Sequence, residues 1–364
     1  MIKNNNISTV LVAPLDWGLG HATRCIPIIK ALLSNGYTVL LGATDNTAAL
    51  LQHEFPELPI LPLRGYKIKY ANNYKWLPLK IFIQIPKILW CIYKEHQWLQ
   101  QIIKNKQIHL VVSDNRYGLF SSKIPSVFIT HQLIIKMPFG WLQKLIQQFN
   151  YIFINQFTQC WVPDVEGENN VAGILSHPKK MPTIPVHYLG IVSRFTKNNN
   201  QALLYKYCIV LSGPEPQRTI LENIILANLN IITDKVVVIR GLPNSIASIE
   251  STIHCTFYNH LSTSALNNIL QSSEYIISRS GYTTVMDILW LQKKSILIAT
   301  PLQTEQEYLA QKLWQQQWCF SVSQQQFNLL TATKSASNFN YQLPQIIPQT
   351  LTQTINNLVS LLQQ

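Results

Sequence analysis

Strand-like and helix-like runs alternate along this chain, and the alternation occurs twice. In the first half, short runs rich in Val, Ile and Leu at 8–14, 37–42, 108–113, 126–130 and 159–162 read as strands. Helical segments at 21–34, 79–105 and 141–156 separate them. The pattern restarts with strands at 207–212, 235–239, 274–278 and 295–299, and helices at 216–229, 282–292 and 305–316. Strands separated by helices pair in parallel and need helices on both sheet faces. The prediction is an α/β chain of two units, each a parallel sheet covered by helices, one over 1–190 and one over 207–348. Residues 191–206, with the polar run Lys197-Asn198-Asn199-Asn200-Gln201, read as the linker. Residues 323–348, rich in Gln, Ser and Pro, read as a loop before a C-terminal helix within 349–364.

The 364 residues suffice for two hydrophobic cores, and 47% apolar content is too much for a disordered chain. No apolar stretch of ~18 residues lacks a charge or a proline, so a membrane-spanning helix is not expected. The first residues lack the apolar core and cleavage site of a secretory leader. A cytoplasmic protein is expected, and its six scattered cysteines, with no C-x-x-C pair, read as buried thiols.

The net charge of +12 is unevenly spread. Between Arg64 and Lys106 nine basic residues face one acid, Glu95, among eight aromatics. On a helix over 79–105, Ile81, Ile85, Ile88, Ile92, Leu99 and Ile103 form a core face, and Pro86 would kink it. Lys80, Lys87 and Lys94 fall on another face, beside Ile83, Trp90 and Trp98. Lysines interleaved with indoles suit the headgroup layer of an anionic membrane, although an ordinary solvated basic face has the same composition. Nucleic acid is not expected as a partner, because no zinc spacing, RNA-stacking motif or basic-region helix is present.

Six polar or glycine-bearing motifs each follow a predicted strand, and in open parallel sheets the ligand crevice lies at the carboxyl ends of the strands. Two half-sites facing one cleft are therefore expected. In Asp16-Trp17-Gly18-Leu19-Gly20-His21, the glycines permit a tight turn and close approach of a ligand. His21 would sit at a helix N-terminus, where a neutral imidazole is favoured. Ser212-Gly213-Pro214-Glu215-Pro216-Gln217-Arg218 offers a helix start for phosphate and a guanidinium beside it. In Ser278-Arg279-Ser280-Gly281-Tyr282-Thr283-Thr284, small groups again precede a helix, with Asp287 placed to accept ribose hydroxyls. Gln303, Thr304, Glu305 and Gln306 offer amide and carboxylate groups to a sugar. Asp114, Asn115, Arg116, His131 and Gln132 follow strands of the first half and would line an acceptor pocket. Taken singly, each motif also fits a plain turn, a capped helix start or a core polar group. No D-x-D pair, H-x-x-x-H pair or G-x-S-x-G elbow occurs, so neither a metal nor a serine nucleophile is expected.

The run S-R-S-G-Y-T-T-V-M-D-I-L, with the following P-L-Q-T-E-Q-E-Y-L, resembles the donor-binding signature of family-28 glycosyltransferases. That group includes the lipid II-forming N-acetylglucosaminyltransferase of peptidoglycan synthesis. D-W-G-L-G-H resembles the group's N-terminal glycine loop, and S-G-P-E-P-Q-R its diphosphate loop. The resemblance runs from about residue 8 to 320 and implies the GT-B fold of two Rossmann-like domains, an N-terminal acceptor domain and a C-terminal nucleotide-sugar domain. It implies that Arg218, Ser280, Gly281, Thr283 and Thr284 contact the donor diphosphate, and that Asp287 stands where the peptidoglycan enzyme has a ribose-binding Glu. Gln303 to Gln306 match its sugar-contacting Gln pair only loosely, since this loop is shorter, and the diphosphate loop lacks the family's glycine run. G-L-G-H-A-T-R-C is also similar to the start of the UDP-sugar hydrolases of pseudaminic acid biosynthesis, whose matching histidine activates water.

The expected protein is an inverting, metal-independent, UDP-sugar-dependent hexosyltransferase that needs no cofactor. His21 would be the base, oriented by Asp16. Gly18, Gly20, Ser212, Gly213, Arg218, Ser280, Gly281, Tyr282, Thr283, Thr284 and Asp287 would surround the donor. The acceptor would be a hydroxyl on a lipid-linked or cell-envelope glycan, reached from the inner face of the cytoplasmic membrane. A UDP-sugar hydrolase shares the same donor site and remains the alternative.

Overall fold

The structure is a computed structural model that describes residues 7–66, 77–198, 201–243, 245–346 and 351–362. The chain forms two compact units, one of residues 1–192 with 347–364 and one of residues 193–346.

The first unit is built on a parallel sheet. Its strands are β1 (Thr9–Pro14), β2 (Thr38–Ala43), β3 (Ile60–Pro62), β4 (Leu110–Asp114), β5 (Ser126–Ile129), β6 (Gln159–Val162) and β7 (Val186–Tyr188). They lie in the order β3-β2-β1-β4-β5-β6-β7. Side chains alternate across a strand, and β1 shows both faces at work. Val10 and Val12 pack with Ile26 and Ile29 of α1 (Leu19–Ser34), whereas Leu11 and Ala13 pack with Leu99 of α3 (Leu77–Lys106). Helix α2 (Asp45–Glu54) follows β2, and α4 (Gly140–Ile154) follows β5. The last helix, α10 (Leu351–Leu361), adds Ile355, Leu358 and Val359 to the α1 side of this core, so the chain returns to its first unit.

The second unit repeats the plan with β8 (Tyr205–Val210), β9 (Val236–Ile239), β10 (Cys255–Tyr258), β11 (Ser273–Ser278), β12 (Lys294–Leu297) and β13 (Phe320–Ser321). Their order is β10-β9-β8-β11-β12-β13, again all parallel. Its helices are α5 (Gln217–Leu229), α6 (Thr263–Gln271), α7 (Tyr282–Trp290), α8 (Thr304–Gln315) and α9 (Leu329–Ser337).

Two expectations change, while the helix expected over 79–105 is present with Pro86 inside it. Residues 323–348 contain α9, which is hard to read because its buried face uses small residues: Leu329, Ala332 and Ala336 enter the core. Asn328 caps it by accepting a hydrogen bond from the Thr331 N–H. Trp98 does not join the exposed face, because its ring packs on the sheet where a Cβ on Gly42 would lie 3.5 Å away. Lys67, Lys69, Lys75 and Trp76 of the basic segment lie outside the described residues.

Candidate functional site

In each sheet the strand order reverses direction once, between β1 and β4 and between β8 and β11. At such a reversal the loops leaving the two strands diverge to opposite faces and leave a crevice. The sequence motifs fall at both.

In the first unit β1 pairs with β4 so that Pro14 sits opposite Asp114. Gly18 caps α1 with φ of +82°, a left-handed turn in which a side chain would be strained although space is open around it. The turn delivers His21 to the first turn of α1 and Arg24 one turn later. Arg24 is buried, and its Nε lies 3.3 Å from Asp114 Oδ2 while its Nη2 makes a very short bond to Oδ1. Its Nη1 lies 2.7 Å from His131 Nδ1 and its Nη2 lies 2.8 Å from His21 Nδ1. Cys25 Sγ also faces Asp114 Oδ2, at 3.7 Å. Burial works to lift the Asp114 carboxyl, but Arg24 and then His21 outweigh it and hold it at about 2.

His21 Nδ1 also lies 3.2 Å from Asp114 Oδ2. One ring nitrogen cannot serve both neighbours at once, because a guanidinium only donates and a carboxylate only accepts. The Arg24 contact needs the His21 proton on Nε2. The Asp114 contact needs it on Nδ1, which leaves Nε2 free to accept.

Asp114 thus takes the orienting place expected of Asp16. Asp16 accepts from the Tyr66 backbone N–H at 3.3 Å, and a Cβ on Gly65 would lie 2.1 Å from its Oδ2, so this approach requires glycine. Arg116, expected in an acceptor pocket, is fully buried as a strut. It donates to the carbonyls of Pro14 at 2.7 Å and Arg64 at 3.0 Å, and to Glu95 Oε1 at 2.7 Å. Glu95 also accepts from the Tyr66 hydroxyl at 2.5 Å and the Gly118 N–H at 3.1 Å. Burial pushes its carboxyl up against the pull of Arg116. His131 is likewise buried on Arg24, whereas Asn115 and Gln132 stay half-exposed. The sequence reading missed Arg24, although it stands inside G-L-G-H-A-T-R-C, one helical turn from His21.

In the second unit Gly213 follows β8 with φ of +104° and is exposed, and Gly281 caps α7 with no atom within 4 Å of where a Cβ would sit. Several side chains expected at the donor turn inward instead. Arg218 is buried between Glu215 Oε1 at 2.5 Å and Glu222 Oε2 at 3.0 Å, and also donates to the Arg240 carbonyl. Ser280 is buried and donates to the Gln306 carbonyl at 2.8 Å, and Tyr282 is buried as well. The Gln306 amide bridges the Thr300 N–H and Gln303 Oε1, fixing the turn before α8. Asp287 Oδ1 accepts from Ser193 Oγ at 2.5 Å. Burial lifts the Asp287 carboxyl to about 6, against Arg194, whose side chain and backbone N–H both pull it down. Ser212, Thr283, Thr284, Thr304 and Glu305 remain partly exposed near these helix starts.

Residues 232–353 match the glycosyltransferase family 28 C-terminal domain. Solved structures with the same fold include the glycosyltransferase SnogD from Streptomyces nogalater, at TM-score 0.60 and 12% identity over 97% of this chain and 99% of that one. Acinetobacter baumannii MurG aligns at TM-score 0.57 and 12% identity, covering 97% and 99% of the two chains. Phytolacca americana UGT2, solved with UDP-2fluoro-glucose and pterostilbene, aligns at 0.57 and 10% identity over 98% and 94%. No curated protein matches by sequence. The two parallel-sheet units and these neighbours define the GT-B fold, the fold of glycosyltransferases. Within that class the chain is similar to family 28 over residues 232–353, about a third of its length.

Proposed function

We propose that this protein transfers a sugar from a UDP-sugar to a hydroxyl acceptor with inversion at C1 and without a metal. The observation that carries the reading is His21 beside the buried Asp114 at the first sheet's reversal. With the His21 proton on Nδ1 and donated to Asp114, Nε2 accepts the acceptor's hydroxyl proton as that oxygen attacks C1. The bond from C1 to the diphosphate oxygen breaks, and UDP leaves with the electron pair. The N-terminus of α7 supports the departing charge. UGT2's complex with UDP-2fluoro-glucose supports a nucleotide-sugar donor for the fold.

The acceptor is lipid-linked in this reading, and the protein docks on an anionic membrane from its cytoplasmic side. The support is an exposed apolar and basic face on α3 and α4. Trp90 is 50% exposed and Tyr93 56% on α3, and Trp141 is 61% and Ile152 57% on α4. Ile88 and Cys91 of α3 and Phe153 of α4 pack against the same cluster of Leu15, Tyr66 and Ile92. Lys94 sits over both Trp90 and Tyr93. Among the described residues no helix is long and apolar enough to cross a membrane.

Radiolabelled UDP-sugars incubated with and without membrane lipid extract test the reading. Label entering the lipid phase only with extract is expected. Free sugar released at the same rate with or without extract would make the protein a hydrolase, and no turnover of any donor would overturn catalysis altogether.

A further inference from the structure

Arg279 follows β11 directly and is 1% exposed. Its guanidinium donates only to carbonyls: Nη1 to Ile298 at 3.4 Å and Ala299 at 3.3 Å, and Nη2 to Gln217 at 2.7 Å. Its Nε has no partner among the described residues. The other deeply placed arginines each meet a carboxylate: Arg24 meets Asp114, Arg116 meets Glu95, and Arg218 and Arg240 meet Glu222. Among the described residues no carboxylate acts on Arg279, and burial alone lowers it to about 10, so it remains charged at neutral pH. Water can satisfy an Nε–H but cannot neutralise a guanidinium. A buried cation without a counter-charge is costly to keep.

The location indicates what the charge serves. Through its carbonyl contacts Arg279 ties together the start of α5, the end of β11 and the turn after β12. These three segments meet at the second sheet's reversal and carry Gly213, Gly281 and Thr300. Thr300 Oγ1 is also buried without a partner among the described residues, 3.7 Å from where a Cβ on Gly213 would be. The same junction carries the N-terminus of α7, where a Cβ on Gly281 would meet nothing within 4 Å, and a helix N-terminus favours an anion.

We infer that Arg279, and not Arg218, supplies the positive charge that holds the diphosphate of a nucleotide donor at this junction. The inference rests on the donor-site reading above. Arg279 acts from beneath the three loops, in a low-dielectric setting where a single charge reaches further than it does in water. Arg218 contributes no free charge there, because Glu215 and Glu222 already neutralise it.

Calorimetry with UDP and with uridine separates the diphosphate contribution from the rest of the nucleotide. In folded Arg279→Gln the preference for UDP over uridine is expected to shrink by roughly ten- to a hundred-fold, the loss of one charged contact. Uridine affinity and the Arg218→Gln preference are expected to stay near wild type. An unchanged UDP preference in Arg279→Gln, or its loss in Arg218→Gln instead, would overturn the assignment. Gly281→Asp covers the case in which Arg279→Gln does not fold. Residue 281 has an ordinary φ of −68° and open space, so this variant should fold. Its carboxylate at the α7 N-terminus should abolish the UDP preference, and an unchanged preference would count against this junction as the diphosphate site. Failure of the wild-type protein to bind UDP would refute the donor-site reading itself, a different result from a variant that binds UDP normally.

Discussion

Arg24 grips Asp114 with two of its nitrogens, and both partners are buried beneath the first turns of α1. The pair belongs to the fold as much as to the chemistry, since α1 and β4 meet through it. Asp114 titrates at about 2 when folded, against an ordinary 3.8. A carboxylate depressed in this way stabilises the fold above its unfolded value, and the contribution disappears as pH falls through the folded value. Between pH 4 and 2 the first unit is expected to lose about 2 kcal/mol from this group alone. Asp114→Asn leaves Arg24 buried without a counter-charge and should cost about 3–5 kcal/mol at neutral pH. Denaturant melts of wild type and variant across this pH range check both, and equal stability at pH 7 would contradict the pair's importance.

Asp287 behaves in the opposite sense. Its carboxyl is lifted from 3.8 to about 6, so the folded protein keeps a proton that the unfolded chain has already released. Stability from this group is full below about pH 4 and declines as pH rises to about 6, by about 3 kcal/mol in all. Asn retains an acceptor for Ser193 Oγ and avoids ionisation. Asp287→Asn should therefore raise the melting temperature at pH 7 and change it little at pH 4. Asp287→Ala, which removes the acceptor, tests the ribose role, because UDP affinity equal to wild type in that folded variant would remove Asp287 from the donor site.

His21→Ala should reduce turnover by roughly 10²–10⁴-fold, the usual contribution of a general base. UDP affinity, carried by the second unit, should change little. Near-normal turnover of the folded fraction with a lowered melting temperature would instead mark His21 as a structural histidine.

Activity should persist in EDTA, because backbone N–H groups and Arg279 are proposed to meet the diphosphate where a divalent ion otherwise would. Complete loss on chelation, restored by Mg²⁺, would refute this.

Docking on membranes should be lost without damage to catalysis on a soluble acceptor when Trp90 and Trp141 are replaced together by Ser. Flotation with anionic vesicles at low salt reads the effect. Wild-type protein that stays with the aqueous fraction would reduce this face to a solvated basic surface.

The amino-acid sequence by itself determined the elements that position the candidate sites. Continuous apolar runs such as β1 and the amphipathic stripe of α3 are local properties, so β1, β4, β8, β11 and the helices behind them were legible to within a few residues. So was the placement of Gly18, His21, Gly213 and Gly281 at strand ends. Helix α9 escaped because alanines replace the large residues that mark a buried face, and no local rule assigns the last helix to the first unit. Only the tertiary structure decided which polar groups meet. His21 and Asp114 are 93 positions apart and become neighbours because β1 pairs with β4. Arg218 and Arg279 look alike as residues after a strand, but one lies between two glutamates and the other meets only carbonyls. Charge pairing is a property of packed neighbours and not of spacing along the chain. For that reason the sequence could place an arginine at each loop, while only the fold distinguished the neutralised one from the one left charged.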